Sequence, residues 1–188
     1  MATTISFPTA VTSNTANFNR TFADDGLSTT HPSGGWGSEA DITLSSFSSL
    51  SIPSGATING IEILAEASSN TGLNEPDMFV YNGTSWSSAL ANNGTWGKSV
   101  TTIDPAWGSS SNLWGLTWTA AQAAAIQIKM DSSSITSGRR LFVDYIKVRV
   151  TYTAAASGYG NAVNGVAAAN IGKVNGVATA DIEKVNGV

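Results

Sequence analysis

The chain has no cysteine, one histidine and few charges, only 12% of its residues being ionisable at neutral pH. Without cysteine there is no disulfide framework, no thiolate nucleophile and no Cys-ligated zinc, and the redox compartment is left open. His31 stands alone, so a histidine-based hydrolase would need it to meet a serine and an acid from elsewhere. No Gly-x-Ser-x-Gly elbow suggests such a meeting. Its position before Pro32 reads as a solvated loop. Basic residues are scarce too: nine against thirteen acidic, with only Arg139 and Arg140 adjacent. A nucleic-acid surface needs clustered Lys and Arg, so nucleic acid is excluded as a partner. No run approaches the roughly 18 apolar residues of a membrane helix, and a membrane partner is not expected. The amino end, Met1 to Pro8, lacks a basic region followed by an apolar stretch. It is not read as a secretory signal; if the protein works outside a cell, release by lysis is one route.

What the chain does have is repetition at its carboxy end. Val163-Asn164-Gly165-Val166 returns as Val174-Asn175-Gly176-Val177 and again as Val185-Asn186-Gly187-Val188, and the intervening residues repeat an order of small, polar, Ile and Lys positions. A unit this short cannot bury its own apolar side and needs a neighbour. Asn-Gly between valines favours a two-residue turn and stacked hairpins. The aliphatic positions Val163, Val166, Ile171, Val174, Val177, Ile182, Val185 and Val188 also fit an eleven-residue helical repeat, which implies a right-handed coiled coil. Gly in every repeat costs a helix about 1 kcal/mol each, so turns are favoured. Either form exposes an apolar row, and these eight residues are the expected assembly surface.

Ahead of the tail, residues 154–162 read as an Ala- and Gly-containing linker and residues 1–153 as one domain. Its signal is period two. In 57–66, Ile61, Ile63 and Ala65 share an inward face while Glu62 and Glu66 share the other. Residues 78–82 form a strand running into the hairpin signal Asn82-Gly83. Ile126, Ile128 and Met130 alternate with polar partners, and 141–152 forms the longest strand. Residues 113–119 also alternate, 87–111 read as loops joining short strands, and Ala120 to Ala125 as a helical turn or two. Short alternating strands broken by turn residues indicate an all-β class, a single β-sandwich of jelly-roll type.

Three stretches carry a resemblance: 51–61 (SIPSGATINGI), 114–119 (WGLTWT) and 142–148 (FVDYIKV). They resemble the sandwich modules of structural proteins of tailed bacteriophages, and the Val-Asn-Gly-Val tail is similar to tails on virion proteins of environmental phages. The resemblance implies a virion-surface location, other virion proteins as partners, a homo-oligomer with a trimer favoured, and no particular chemistry.

Candidate sites are few. Glu62 and Glu66 are the carboxylate pair to weigh for glycoside hydrolysis, although an outward polar face explains them as well. Asp24-Asp25 beside Gly26, or Asp77 after Glu75, offer hard oxygen ligands for calcium, but no calcium-loop spacing is present and no cofactor is expected. Asp144, flanked by Val143 and Tyr145, is a buried carboxylate that requires a partner, with Arg139 or Arg140 available. Trp86, Trp96 and Trp107 lie beside Gly, Ser and Asn, a combination that offers flat rings for sugar stacking next to amides. Core or interface filler is the competing reading of these rings. The expected function is thus non-enzymatic: a virion structural protein, capsid decoration or fibre, with a host-surface glycan-binding module as the alternative.

Overall fold

The computed structural model of the chain describes residues 1–12, 29–30, 41–69, 76–90, 101–131, 141–155, 173–174 and 177–178. Its strands are β1 (Ala2–Ser6), β2 (Ala10–Thr12), β3 (Thr29–Thr30), β4 (Asp41–Ser45), β5 (Thr57–Ser69), β6 (Asp77–Tyr81), β7 (Thr101–Ser109), β8 (Gln127–Asp131), β9 (Leu141–Thr153), β10 (Lys173–Val174) and β11 (Val177–Ala178), with one helix, α1 (Ala120–Ala124). The contacts divide the chain into two compact units, Met1–Thr153 and Ala154–Val188.

The first unit is an all-β sandwich of two antiparallel sheets. One sheet has the order β1-β9-β5-β7, and the other β2-β4-β8-β6. β5 covers one edge of β9 along its whole length, and β1 and β3 share the other edge. In the second sheet the run after β6 continues the pairing, with Trp86 bridged to Tyr81 and Leu90 to Met78. When β1, β4, β5, β6, this run, β7, β8 and β9 are counted in chain order, the sheets read 1-8-3-6 and 2-7-4-5. That is the jelly-roll order, with β2 and β3 added at the flanks.

Alternation decides what faces the core. Ile61, Ile63 and Ala65 from β5 and Ile146, Val148 and Val150 from β9 meet Ile42 and Leu44 from β4, Met78 and Val80 from β6, and Ile128 and Met130 from β8 in one buried cluster. Each such aliphatic side chain taken from water stabilises the fold by about 1.5–3 kcal/mol before entropy is counted. α1 closes one end and is started by a reciprocal cap: Thr119 Oγ1 accepts from the Gln122 amide at 3.2 Å while Gln122 Oε1 accepts from the Thr119 amide at 2.9 Å.

Two segments depart from the sequence reading. Residues 101–109, inside the span expected as loops joining short strands, form a nine-residue edge strand, β7. Pro105 sits inside this strand and Gly108 is its last residue but one. Between Ile63↔Trp107 and Ala65↔Ile103 the strand β7 holds extra residues, including the cis Asp104-Pro105 peptide, and Gly108 adopts φ +77°. Conversely, residues 113–119 alternate like a strand but form none: the chain turns between Leu113 and Leu116, where Trp114 takes φ 60° and Gly115 φ 71°. The loops expected at 70–76 and 132–140 lie outside the described residues, apart from Pro76.

In the second unit, β10 and β11 pair antiparallel, with Lys173 opposite Ala178 and Val174 opposite Val177. Only two residues, Asn175 and Gly176, separate the strands.

Candidate functional site

The solvent face of the second sheet gathers the aromatic side chains left over by the core. Ile128, Met130, Met78 and Val80 point inward, so Phe79, Tyr81, Gln127 and Lys129 fall on the opposite face. Tyr81 is opposite Gln127 and Phe79 opposite Lys129. Beyond β6, Trp86 is opposite Tyr81, and the bonds from Ser87 N to Val80 O (2.8 Å) and from Asn82 N to Ser85 O (3.2 Å) bracket the pair. A pair bracketed in this way is the narrow kind, whose side chains lie closest. The Tyr81 and Trp86 rings accordingly sit with centroids 5.1 Å apart, tilted by 34°. Lys129 Nζ lies 4.3 Å from the Phe79 ring centre and 5.7 Å from that of Trp86, in cation–π positions. One row further, Asp77 and Asp41 both take register positions opposite Asp131.

The turn that aims Trp86 is fixed by Asn82. Its Oδ1 accepts from the amides of Thr84 (3.0 Å) and Ser85 (2.9 Å), and its Nδ2 donates to the Thr117 carbonyl at 3.1 Å. Gly83 supplies the φ of +88° that such a turn needs.

The three tryptophans singled out from the sequence part company here. Trp86 is 40% exposed. Trp107, weighed as a glycan contact against core filler, is filler, which corrects the candidate site: it lies within β7, opposite Ile63, with none of its surface exposed, so it offers no ring to a sugar. Trp96 lies outside the described residues. Signals for Phe79 and Tyr81 were present in the alternation of β6, but their joining to Trp86 depends on a hairpin whose register the sequence alone does not set.

On the first sheet, Glu62 and Glu66 lie on the face away from the core, as expected, but Glu62 is covered there by a part-buried ion pair. Glu62 is 5% exposed and lies opposite Arg149. The guanidinium donates to both carboxylate oxygens, Nε to Oε2 at 2.7 Å and Nη2 to Oε1 at 3.0 Å, and extends past β5 to Asp104 at 2.7 and 3.2 Å. Hydrogen bonding to Glu62, then to Asp104, against the cost of burial, holds the guanidinium above its ordinary range. Glu66 accepts from Thr102 Oγ1 at 3.0 Å. With both Glu62 oxygens engaged by one arginine, the pair has the geometry of a clamp across β9, β5 and β7 rather than of a cleft acid and base. Beside it, Lys147 Nζ sits 3.9 Å over Tyr145 and 4.6 Å over Phe7, whose rings meet edge to face.

Asp144 is buried as expected, at the register irregularity where β9 carries one more residue than β5. Arg139 and Arg140, its expected partners, lie outside the described residues, as do His31, Asp24, Asp25, Gly26 and Glu75. Asp77 is half-buried on β6. Among the described residues, no group of three or more acidic or histidine side chains is arranged to hold a metal ion. Of the expected assembly residues, Val174 and Val177 are paired across the β10–β11 hairpin. Val163, Val166, Ile171, Ile182, Val185 and Val188 lie outside the described residues.

A groove of about 490 Å³ lies between the 52–56 turn and α1, lined by Ile52, Ser54, Ala56, Thr119, Ala120 and Ala124. It carries no charged group. The chain matches no family model, no curated protein and no solved structure.

Proposed function

We propose that the chain is a non-enzymatic structural component of a tailed-bacteriophage virion, a capsid decoration or fibre protein at the particle surface. In this reading the sandwich projects, and the repeat tail attaches it to other virion proteins or joins copies of itself, with a trimer favoured. The observation that carries the reading is the pairing of Val174 with Val177 across two residues, within a tetrad that the sequence writes three times. A hairpin with two residues per strand is not stable alone in water. Repeats of this kind are stable when stacked on one another or on a partner, so the tail is suited to assembly. The jelly-roll order of the sandwich agrees with the resemblance of its sequence to phage structural modules.

The test is removal of residues 158–188. Light scattering coupled to size exclusion should find the full chain oligomeric and the truncated chain a folded monomer. Antibody labelling in electron micrographs should place the full chain on the particle surface. An unchanged oligomer after truncation, or particles without label, would overturn the reading.

A further inference from the structure

We propose that the solvent face of the second sheet is a carbohydrate-binding platform, built on Trp86 and Tyr81, that takes neutral hexose units of a polysaccharide. The site is built from residues of the first unit alone and is argued independently of the assembly reading.

A sugar ring needs two things from a protein: a flat apolar surface for its C–H face, and hydrogen-bonding groups at the ring's edge. Both are present in register. Trp86 is the exposed aromatic ring among the described residues, and Tyr81 packs against it. Gln127, opposite Tyr81, supplies an amide with donor and acceptor ends. Lys129 and Asp77 stand one and two rows further along the same face. Rows recur about every 7 Å along a strand and strands about every 5 Å, so the platform spans one or two sugar rings.

The platform is also pre-ordered. Trp86 is aimed by a turn whose side-chain bonds come from Asn82, itself only 6% exposed, and the pair it forms with Tyr81 is bracketed by backbone bonds. Binding therefore costs little side-chain ordering, which matters for a ligand with few apolar atoms.

Charge selects among polymers. Asp77 and Asp131 lie opposite one another on this face, outnumbering the one Lys129 beside the Trp86 ring, and the chain as a whole carries a net charge of -4. An acidic polysaccharide meets repulsion here, whereas the hydroxyls of a neutral one find carboxylate acceptors. A protein partner fits less well. A stable protein interface covers roughly 800 Å² per side with few charges at its centre, while here a single exposed ring is bordered by lysine and aspartates.

The experiment uses the full chain against mannan, laminarin, amylopectin and galactan, with alginate and heparin as acidic polymers, read by affinity electrophoresis and by tryptophan fluorescence. At least one neutral polymer should retard the protein and the acidic ones should not. Trp86→Ala should weaken that binding tenfold or more. Gln127→Ala, which removes only an edge amide and reads the same face should Trp86→Ala fail to fold, should weaken it several-fold. Retardation by none of the neutral polymers, stronger retardation by alginate or heparin, or binding unchanged in folded Trp86→Ala or in Gln127→Ala would overturn the proposal.

Discussion

Arg149 binds both oxygens of Glu62 across the β5–β9 ladder and, with the same guanidinium, both oxygens of Asp104 on β7. The two carboxylates differ in burial: the Glu62 side chain is 7% exposed and that of Asp104 45%. Their contributions should differ accordingly. Arg149→Ala leaves the Glu62 carboxylate buried without its counter-ion and should cost about 2–4 kcal/mol. Asp104→Ala leaves Arg149 still paired with Glu62 and removes only a solvent-screened contact, which should cost less than about 1 kcal/mol. Urea denaturation of both variants, with unchanged dependence on denaturant, checks the ranking.

Arg149→Lys exposes the pH dependence of the same clamp. The guanidinium is held above its ordinary value, so its contribution is present in full below the unfolded pKa and is lost only as pH rises through the still higher folded one. No loss from this group is expected across the pH range in which the protein can be studied. A lysine titrates near 10.4 when unfolded, and pairing with Glu62 and Asp104 would raise its folded value. Its contribution would then fade as pH rises from about 10.4 through that folded pKa, so the stability gap between the parent and Arg149→Lys should widen above about pH 10.4. The variant also loses the two-pronged geometry and should be less stable than the parent at neutral pH. Thermal melts from pH 7 to 11 measure both effects.

At Gly60 and Gly108, β5 and the end of β7 leave no room for a Cβ. A Cβ on Gly60 would run into the Ser110 backbone, and one on Gly108 into the Ile61 carbonyl, with Gly108 at φ +77° besides. Backbone cannot swing aside as a side chain can, so Gly60→Ala and Gly108→Ala should each cost about 3 kcal/mol or more. Gly115 shares the positive φ, at +71°, but a Cβ there meets nothing within 4 Å. Gly115→Ala should therefore cost only the left-handed backbone term, about 1–2 kcal/mol. Chemical denaturation of the three variants separates close approach from conformational strain.

The same corner shows why parts of the fold were hidden in the sequence. Ile61, Ile63, Ala65, Ile128 and Met130 were legible, because period two in a half-buried strand records directly which side is inward. Residues 113–119 have the same period and are not a strand. Trp114 turns to φ 60°, held by its amide on Asn112 Oδ1 at 2.7 Å and its indole N–H on the Ile61 carbonyl at 2.9 Å. That second partner is 53 residues away, and no local pattern announces it. The burial of Glu62 was hidden for the same reason: its partner Arg149 is 87 residues distant and meets it only through register. Of the candidate platform, Trp86 was visible as an aromatic beside turn residues, but Tyr81 and Phe79 join it only once the hairpin is closed. Trp107 has a similar local setting, yet its strand, interrupted by Pro105, carries it into the core.

The tail allows a test that separates its two sequence-level forms. If Asn175-Gly176 closes a two-residue hairpin between Val174 and Val177, the turn needs positive φ at its centre, and a side chain at the glycine position works against it. In a helical repeat the same substitution helps, because alanine is favoured over glycine by about 1 kcal/mol per position. Replacing Gly165, Gly176 and Gly187 together by alanine should thus weaken self-association or attachment while leaving the melting of the sandwich unchanged. A rise in helical circular dichroism with tighter association would instead favour the eleven-residue coiled coil. Concentration-dependent sedimentation of the triple variant beside the parent reads the association, and the far-ultraviolet spectrum of each reads the form.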